Sequence, residues 1–121
     1  MNSRDPQTGA LGESIAAEYL TKKGYQILTR NFRSKFGEID IVAKNGDLYV
    51  FVEVKCRIGN RMGKPHEAVN GNKVKRIRDT ALCYMLKNGI KGYKLSVHVL
   101  SITLNPDKTV GEIKHFENVI L

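Results

Sequence analysis

Two short runs hold the residues of this chain best suited to chemistry: Gly37-Glu38-Ile39-Asp40 and, further along, Glu53-Val54-Lys55. They set three carboxylates and a lysine on two neighbouring apolar stretches. An ionised acid inside an apolar strand is costly unless it is paired or holds a metal. Carboxylate oxygens are hard donors of the kind that Mg²⁺ takes, and a lysine beside them could hold a water or a charged oxygen. A solvated face with a cross-strand salt bridge is the plainer alternative. Against it stand the strongly apolar setting of the acids and their convergence with a lysine at one end.

That convergence depends on a hairpin. Ile39-Asp40-Ile41-Val42-Ala43 and Leu48-Tyr49-Val50-Phe51-Val52-Glu53-Val54-Lys55 are rich in β-branched and aromatic residues, as strands are. Asn45-Gly46 between them is a strong hairpin signal. A two-residue turn there sets Val42 opposite Tyr49, Asp40 opposite Phe51 and Glu38 opposite Glu53. Alternation then gives one apolar face of Ile39, Ile41, Ala43, Leu48, Val50, Val52 and Val54. The other face carries Glu38, Asp40, Glu53 and Lys55 at one end, with Asp40 and Glu53 as diagonal neighbours roughly 7–8 Å apart.

At these residues the chain resembles a known pattern. Asp40…Glu53-x-Lys55 is similar to the metal-binding motif of the restriction-endonuclease-like PD-(D/E)xK nucleases. The wider set, Gly12-Glu13…Ala17…Tyr19-Leu20, Gly24-Tyr25-x-Ile27-Leu28-x-Arg30-Asn31-x-Arg33, Gly37-Glu38-Ile39-Asp40-Ile41, Phe51-Val52-Glu53-Val54-Lys55-x-Arg57 and Lys73…Arg76-Ile77, resembles the YraN family of small bacterial proteins. The resemblance implies an α/β fold with a restriction-endonuclease-like core, a mixed β-sheet flanked by two main helices. It implies kinship with archaeal Holliday-junction resolvases and a metal-dependent phosphodiesterase. Asp40, Glu53, Lys55 and Glu13 would be its catalytic residues, and Asp40, Glu53 and Glu13 would bind Mg²⁺ or Mn²⁺. Glu38 would be an accessory group that tunes Lys55, ligates weakly or pairs with a basic neighbour. One departure concerns Val97-His98-Val99, where His98 stands in place of the family's usual Asp.

Composition bounds the rest. A chain of 121 residues is expected to form one domain, 1–121, with 1–9 flexible. The polar start lacks a signal-peptide pattern, and no apolar run approaches the roughly 20 residues of a membrane span. A cytoplasmic protein without membrane contact is expected. Cys56 and Cys83 have no zinc spacing and form no disulfide framework; Cys56 should face away from Lys55.

The net charge is +8. From Lys55 to Arg78 there are eight Lys and Arg residues against one acid, Glu67. Such a run is the footprint of a surface that neutralises phosphates, with no sequence readout implied. Arg57, Arg61, Lys64, Lys73, Lys75, Arg76 and Arg78 are the candidate nucleic-acid contacts. Segment 57–71, with its glycines, is expected to be a mobile basic loop that closes over a strand. His66 within it is read as an ordinary loop histidine.

Helical spacing of Leu11, Ile15, Ala16 and Tyr19 predicts a helix over 10–23, stopped by Gly24. Glu13 falls near its start; helix-dipole stabilisation and a ligand leaning over the hairpin are both open on the residues alone. Val74, Ile77, Ala81 and Met85 predict a second helix over 72–88. Strands are expected over 25–30, antiparallel to the next, and over 94–103, with a strand or irregular tail over 110–116. The expected function is hydrolysis of phosphodiester bonds in nucleic acid, DNA above all and branched DNA among its forms, by a homodimer like the related resolvases. The rival is a nucleic-acid-binding protein without turnover on the same fold, a reading that His98 favours.

Overall fold

Valine, isoleucine and leucine at alternate positions drive this chain into a five-stranded sheet. The structure is a computed structural model that describes residues 6–59, 71–91 and 94–119. The order is α1 (Pro6–Lys22), β1 (Gln26–Ser34), β2 (Gly37–Asn45), β3 (Leu48–Ile58), α2 (Gly71–Lys87), β4 (Lys94–Leu104) and β5 (Val110–Phe116). The strands lie in the sheet in sequence order. β1–β2, β2–β3 and β4–β5 pair antiparallel, whereas β3 and β4 are parallel and joined through α2. A parallel pair needs such a crossover. The architecture is α/β, a mixed sheet with a helix on each face. The segment over 110–116 is a strand throughout.

Both helices close in the same manner. Tyr25 N–H donates to Leu20 O (3.0 Å) and Gly24 N–H to Thr21 O (3.0 Å). Ile90 N–H donates to Met85 O (3.0 Å) and Gly89 N–H to Leu86 O (3.1 Å). These paired bonds satisfy carbonyls that a bare helix end leaves open.

The sheet separates two apolar layers. On one face Ala16 and Leu20 of α1 pack on Ile41, Ala43, Val50, Val52, Val54, Cys56, Leu100, Ile102 and Leu104. Gly12 lets the helix approach closely, because a Cβ there would lie 2.5 Å from Cys56 Cβ. Cys56 thus faces away from Lys55, as expected. On the other face Ile77, Ala81, Tyr84 and Met85 of α2 pack on Ile39, Val42, Phe51 and Val97.

Two details differ from the sequence reading. The hairpin closes at Asn45–Leu48, so Gly46 and Asp47 form the two-residue loop, and Val42 faces Phe51. Gly46 has φ 64°, which places the glycine at the first loop position, where a type II′ turn needs it. The slip is two residues, so most side chains keep their faces. Ile39 is the exception, packing on the α2 side rather than with Ile41. The β2–β3 ladder ends at Ile41–Val52, while β2 still pairs with β1 through Phe32–Ile39. Past that point β2 is freed from the pleat of β3. In addition, α1 begins at Pro6, where a residue without N–H suits a first turn.

Candidate metal and nucleic-acid site

Asp40 and Glu53 are the next residues beyond the end of the β2–β3 ladder. Both are buried, at 9% and 7% exposure. Asp40 Oδ2 accepts the backbone N–H of Val54 at 2.8 Å, so the carboxylate takes over where strand pairing stops. The shifted hairpin register brings the two acids level instead of diagonal.

The wall opposite them is α2. Gly37, Glu38, Asp40, Glu53, Lys73, Arg76 and Ile77 line one pocket of about 220 Å³. Glu53 Oε2 lies 3.1 Å from Lys55 Nζ and 2.7 Å from Lys73 Nζ. Glu38 pairs with Arg33 (Oε2 to Nε, 3.6 Å) at the rim. Asp40 and Glu53 therefore do not belong to a solvated strand face; they are buried in a pocket to which α2 supplies cations, while Glu38 stays exposed.

The two lysines are pushed in opposite directions. Burial, followed by the neighbouring Lys73 ammonium, lowers the pKa of Lys55 against the pull of Glu53. Burial also opposes charge on Lys73, but its bonds to Glu53 and Lys55 and the attraction of Glu53 and Asp40 outweigh it, and its pKa is raised. One ammonium of the pair is held firmly and the other gives up its proton more readily.

Of the predicted site residues, the hairpin and α2 bring together Asp40, Glu53, Lys55 and Glu38. Glu13 is placed differently. It lies in the second turn of α1, whose first turn holds no acid, so the helix-dipole explanation lapses. Its helix packs on the opposite face of the sheet, and Glu13 does not line the pocket. Helical periodicity sets which face of α1 is buried but not which end of the sheet Glu13 reaches. Among the described residues no three His, Cys, Asp or Glu side chains converge as a metal-holding group. Asp40 and Glu53 fit a divalent ion nonetheless in donor type and number, because Mg²⁺ binds through one or two carboxylates and keeps waters or phosphate oxygens for the rest.

The predicted basic contacts divide into groups. Lys73 and Arg76 belong to the pocket itself. Lys75 and Arg78 share Asp79, at 3.0 Å and 3.9 Å, and are partly neutralised on their own helix. Arg57 belongs to β3, not to a loop, because it pairs with Thr103 of β4. Its Nε is buried with no hydrogen-bond partner among the described residues. Arg61, Lys64, His66 and most of the expected loop lie outside the described residues.

His98 is remote from the pocket. It pairs in register with Val52, on the α1 side of the sheet. Its Nδ1 meets His115 Nε2 at 2.9 Å, and His115 Nδ1 meets the Tyr19 hydroxyl at 3.2 Å. His98 therefore does not bear on turnover at the Asp40–Glu53 pocket. Lys73 and Arg76 were expected as nucleic-acid contacts, and what sequence reasoning missed is their place in one pocket with Asp40 and Glu53. They were legible only as charge on a helix, since nothing local says that their helix crosses over the hairpin's acidic end.

Comparison with known proteins supports the grouping of motifs. The pattern described as uncharacterised protein family UPF0102 matches residues 12–103. A UPF0102 protein of Caldanaerobacter subterraneus subsp. tengcongensis is 42% identical over 111 residues, 91% of this chain and 91% of the relative. One from Clostridium tetani is 45% identical over 105 residues, 87% of this chain and 86% of the relative. Among solved structures, Pyrococcus furiosus SfsA in complex with Ca²⁺ is 17% identical, with a TM-score of 0.35 over 92% of this chain and 62% of that one. That likeness is too loose to build on. The family match covers most of the chain, both site runs and the start of α2 included, and the chain belongs to the UPF0102 (YraN) family.

Proposed function

We propose that this protein is a metal-dependent nuclease that hydrolyses phosphodiester bonds in DNA, branched DNA included. The observation that carries the reading is one pocket in which two buried carboxylates, Asp40 and Glu53, meet Lys73 and Arg76, with Lys55 on Glu53. Buried acids and flanking cations in a chain of net charge +8 suit a divalent ion and a phosphate together.

Asp40 and Glu53 would hold Mg²⁺ or Mn²⁺. The chemistry supplied by such an ion is polarisation of the phosphoryl group and activation of water at neutral pH. Lys55 would orient the attacking water or stabilise the charge that builds on the phosphate. Arg76 and Lys73 would bind phosphate oxygens and stabilise the charge that builds on them. Asp40 would also keep the end of β2 locked on β3 through Val54. We place the protein in the cytoplasm; no helix among the described residues is long and apolar enough to cross a membrane. A homodimer is the assembly we expect on a four-way junction.

The test is incubation of the purified protein with labelled linear, single-stranded, flapped and four-way-junction DNA in Mg²⁺, Mn²⁺ or EDTA, beside Asp40→Asn. Metal-dependent cutting lost in the variant is the expected result. Salt-sensitive binding without cutting in any metal would support the second reading, a nucleic-acid-binding protein without turnover. One observation favours that second reading: Glu53 already has two ammonium partners and is satisfied without a metal.

A further inference from the structure

Resting on the nuclease reading, we infer that Lys73 is a built-in competitor for the divalent ion, and that the ion gains Glu53 only when a nucleic-acid phosphate draws the ammonium away. Lys73 Nζ lies 2.7 Å from Glu53 Oε2, closer than Lys55 at 3.1 Å. It is also attracted by Asp40. It thus holds, in the pocket that Asp40 also lines, a carboxylate oxygen that a shared cation would need.

The origin and exposure of Lys73 suit a movable group. Lys55 is fixed on β3 two residues from Glu53, whereas Lys73 arrives on the first turn of α2. Its side chain is 27% exposed against 9% for Glu53, so it stands at the pocket mouth with water within reach. A lysine carries its charge on a flexible stem of four carbons and can exchange partners without moving its helix.

Charge balance makes the exchange necessary. Glu38, Asp40 and Glu53 face Arg33, Lys55, Lys73 and Arg76, three negative charges against four positive. A divalent ion added alone would raise that excess from one positive charge to three beside the Lys73 ammonium. A phosphate supplies a negative charge and a new partner for Lys73. Metal and nucleic acid should therefore bind cooperatively, and by linkage each must raise the affinity of the other by the same factor. The device keeps the site unloaded until a strand lies in it.

The experiment measures Mn²⁺ affinity of the full chain by calorimetry and by the spin-resonance signal of free Mn²⁺. Wild type, Lys73→Met, Lys73→Gln and Lys73→Arg are compared, with and without a short phosphorothioate DNA duplex. Without DNA, Met and Gln should tighten Mn²⁺ binding about tenfold or more, a coupling of ordinary allosteric size, and Arg should remain as weak as wild type. DNA should tighten Mn²⁺ binding to wild type and alter the Met and Gln variants far less. Equal Mn²⁺ affinity in all four chains would overturn the role of Lys73 and leave the metal site standing. No Mn²⁺ bound by any of them, with or without DNA, would remove the nuclease reading along with it.

Discussion

Lowering the pH should destabilise this fold through His98, by an amount that its burial sets. The ring is 3% exposed and bonded to His115 Nε2 at 2.9 Å. Burial, and then the neighbouring His115, lowers its pKa from 6.5 to about 4, with Glu117 pulling weakly the other way. The pKa of His115 is lowered too, again by burial first. A depressed folded pKa means that the unfolded chain binds the proton more readily. Stability from the neutral ring is therefore complete above about pH 6.5 and is lost as pH falls towards 4. Between about pH 7.5 and about pH 5 the His98 contribution should fall by about 2 kcal/mol, approaching about 3 kcal/mol in stronger acid. Urea unfolding at the two pH values, for wild type and His98→Gln, isolates this contribution from that of the carboxylates. Wild type should lose about 2 kcal/mol more than the variant. An equal loss in both chains would refute the reasoning, because His98 would then titrate alike folded and unfolded.

Other expectations follow from named contacts. Asp40→Asn should abolish cleavage while keeping the acceptor for Val54 N–H, whereas Asp40→Ala should also cost about 1–3 kcal/mol in urea unfolding, because that buried donor loses its partner. Lys55→Ala should lower single-turnover cleavage by about a hundredfold or more while Mn²⁺ still binds. Arg76→Ala should weaken DNA binding evenly across sequences and reduce the slope of log affinity against log salt by about 0.9, read by anisotropy titrations. Gly12→Ala should cost about 1–3 kcal/mol by thermal or urea unfolding, and Cys56→Ala should not rescue it, since the nearest atom, at 2.5 Å, is the Cβ that alanine keeps.

The strands were legible because their pattern is local. Ile41, Ala43, Val50, Val52 and Val54 alternate with Val42, Phe51 and Glu53, and each set has its own helix to pack on. The loop was legible as a glycine turn but not as the pair Gly46–Asp47, because Asn-Gly and Gly-Asp loops use the same glycine one position apart. Asp40, Glu53 and Lys55 could be placed together because a hairpin joins them. Lys73 and Arg76 could not, because their place depends on a parallel crossover and on how far α2 advances over β2. Glu13 could not be placed for the complementary reason: its helix packs on the other face of the sheet, and the spacing of Leu11, Ile15 and Tyr19 is blind to that.

The parallel joint between β3 and β4 also governs when the site can come into being. The hairpin of β2 and β3 closes over a two-residue loop, and such hairpins form within about 1–10 μs. Lys73 and Arg76 reach the acids only after α2 has docked, and β4 must then register against β3 along eleven pairs from Leu48–Lys94 to Ile58–Leu104. Non-local pairing of that kind is slow, since loop closure precedes its reward. A chain still being synthesised, or one partly unfolded, would carry the acidic hairpin without its cationic wall. The Lys73–Glu53 pair therefore forms only once α2 has docked, and the proposed site is complete no earlier than that step.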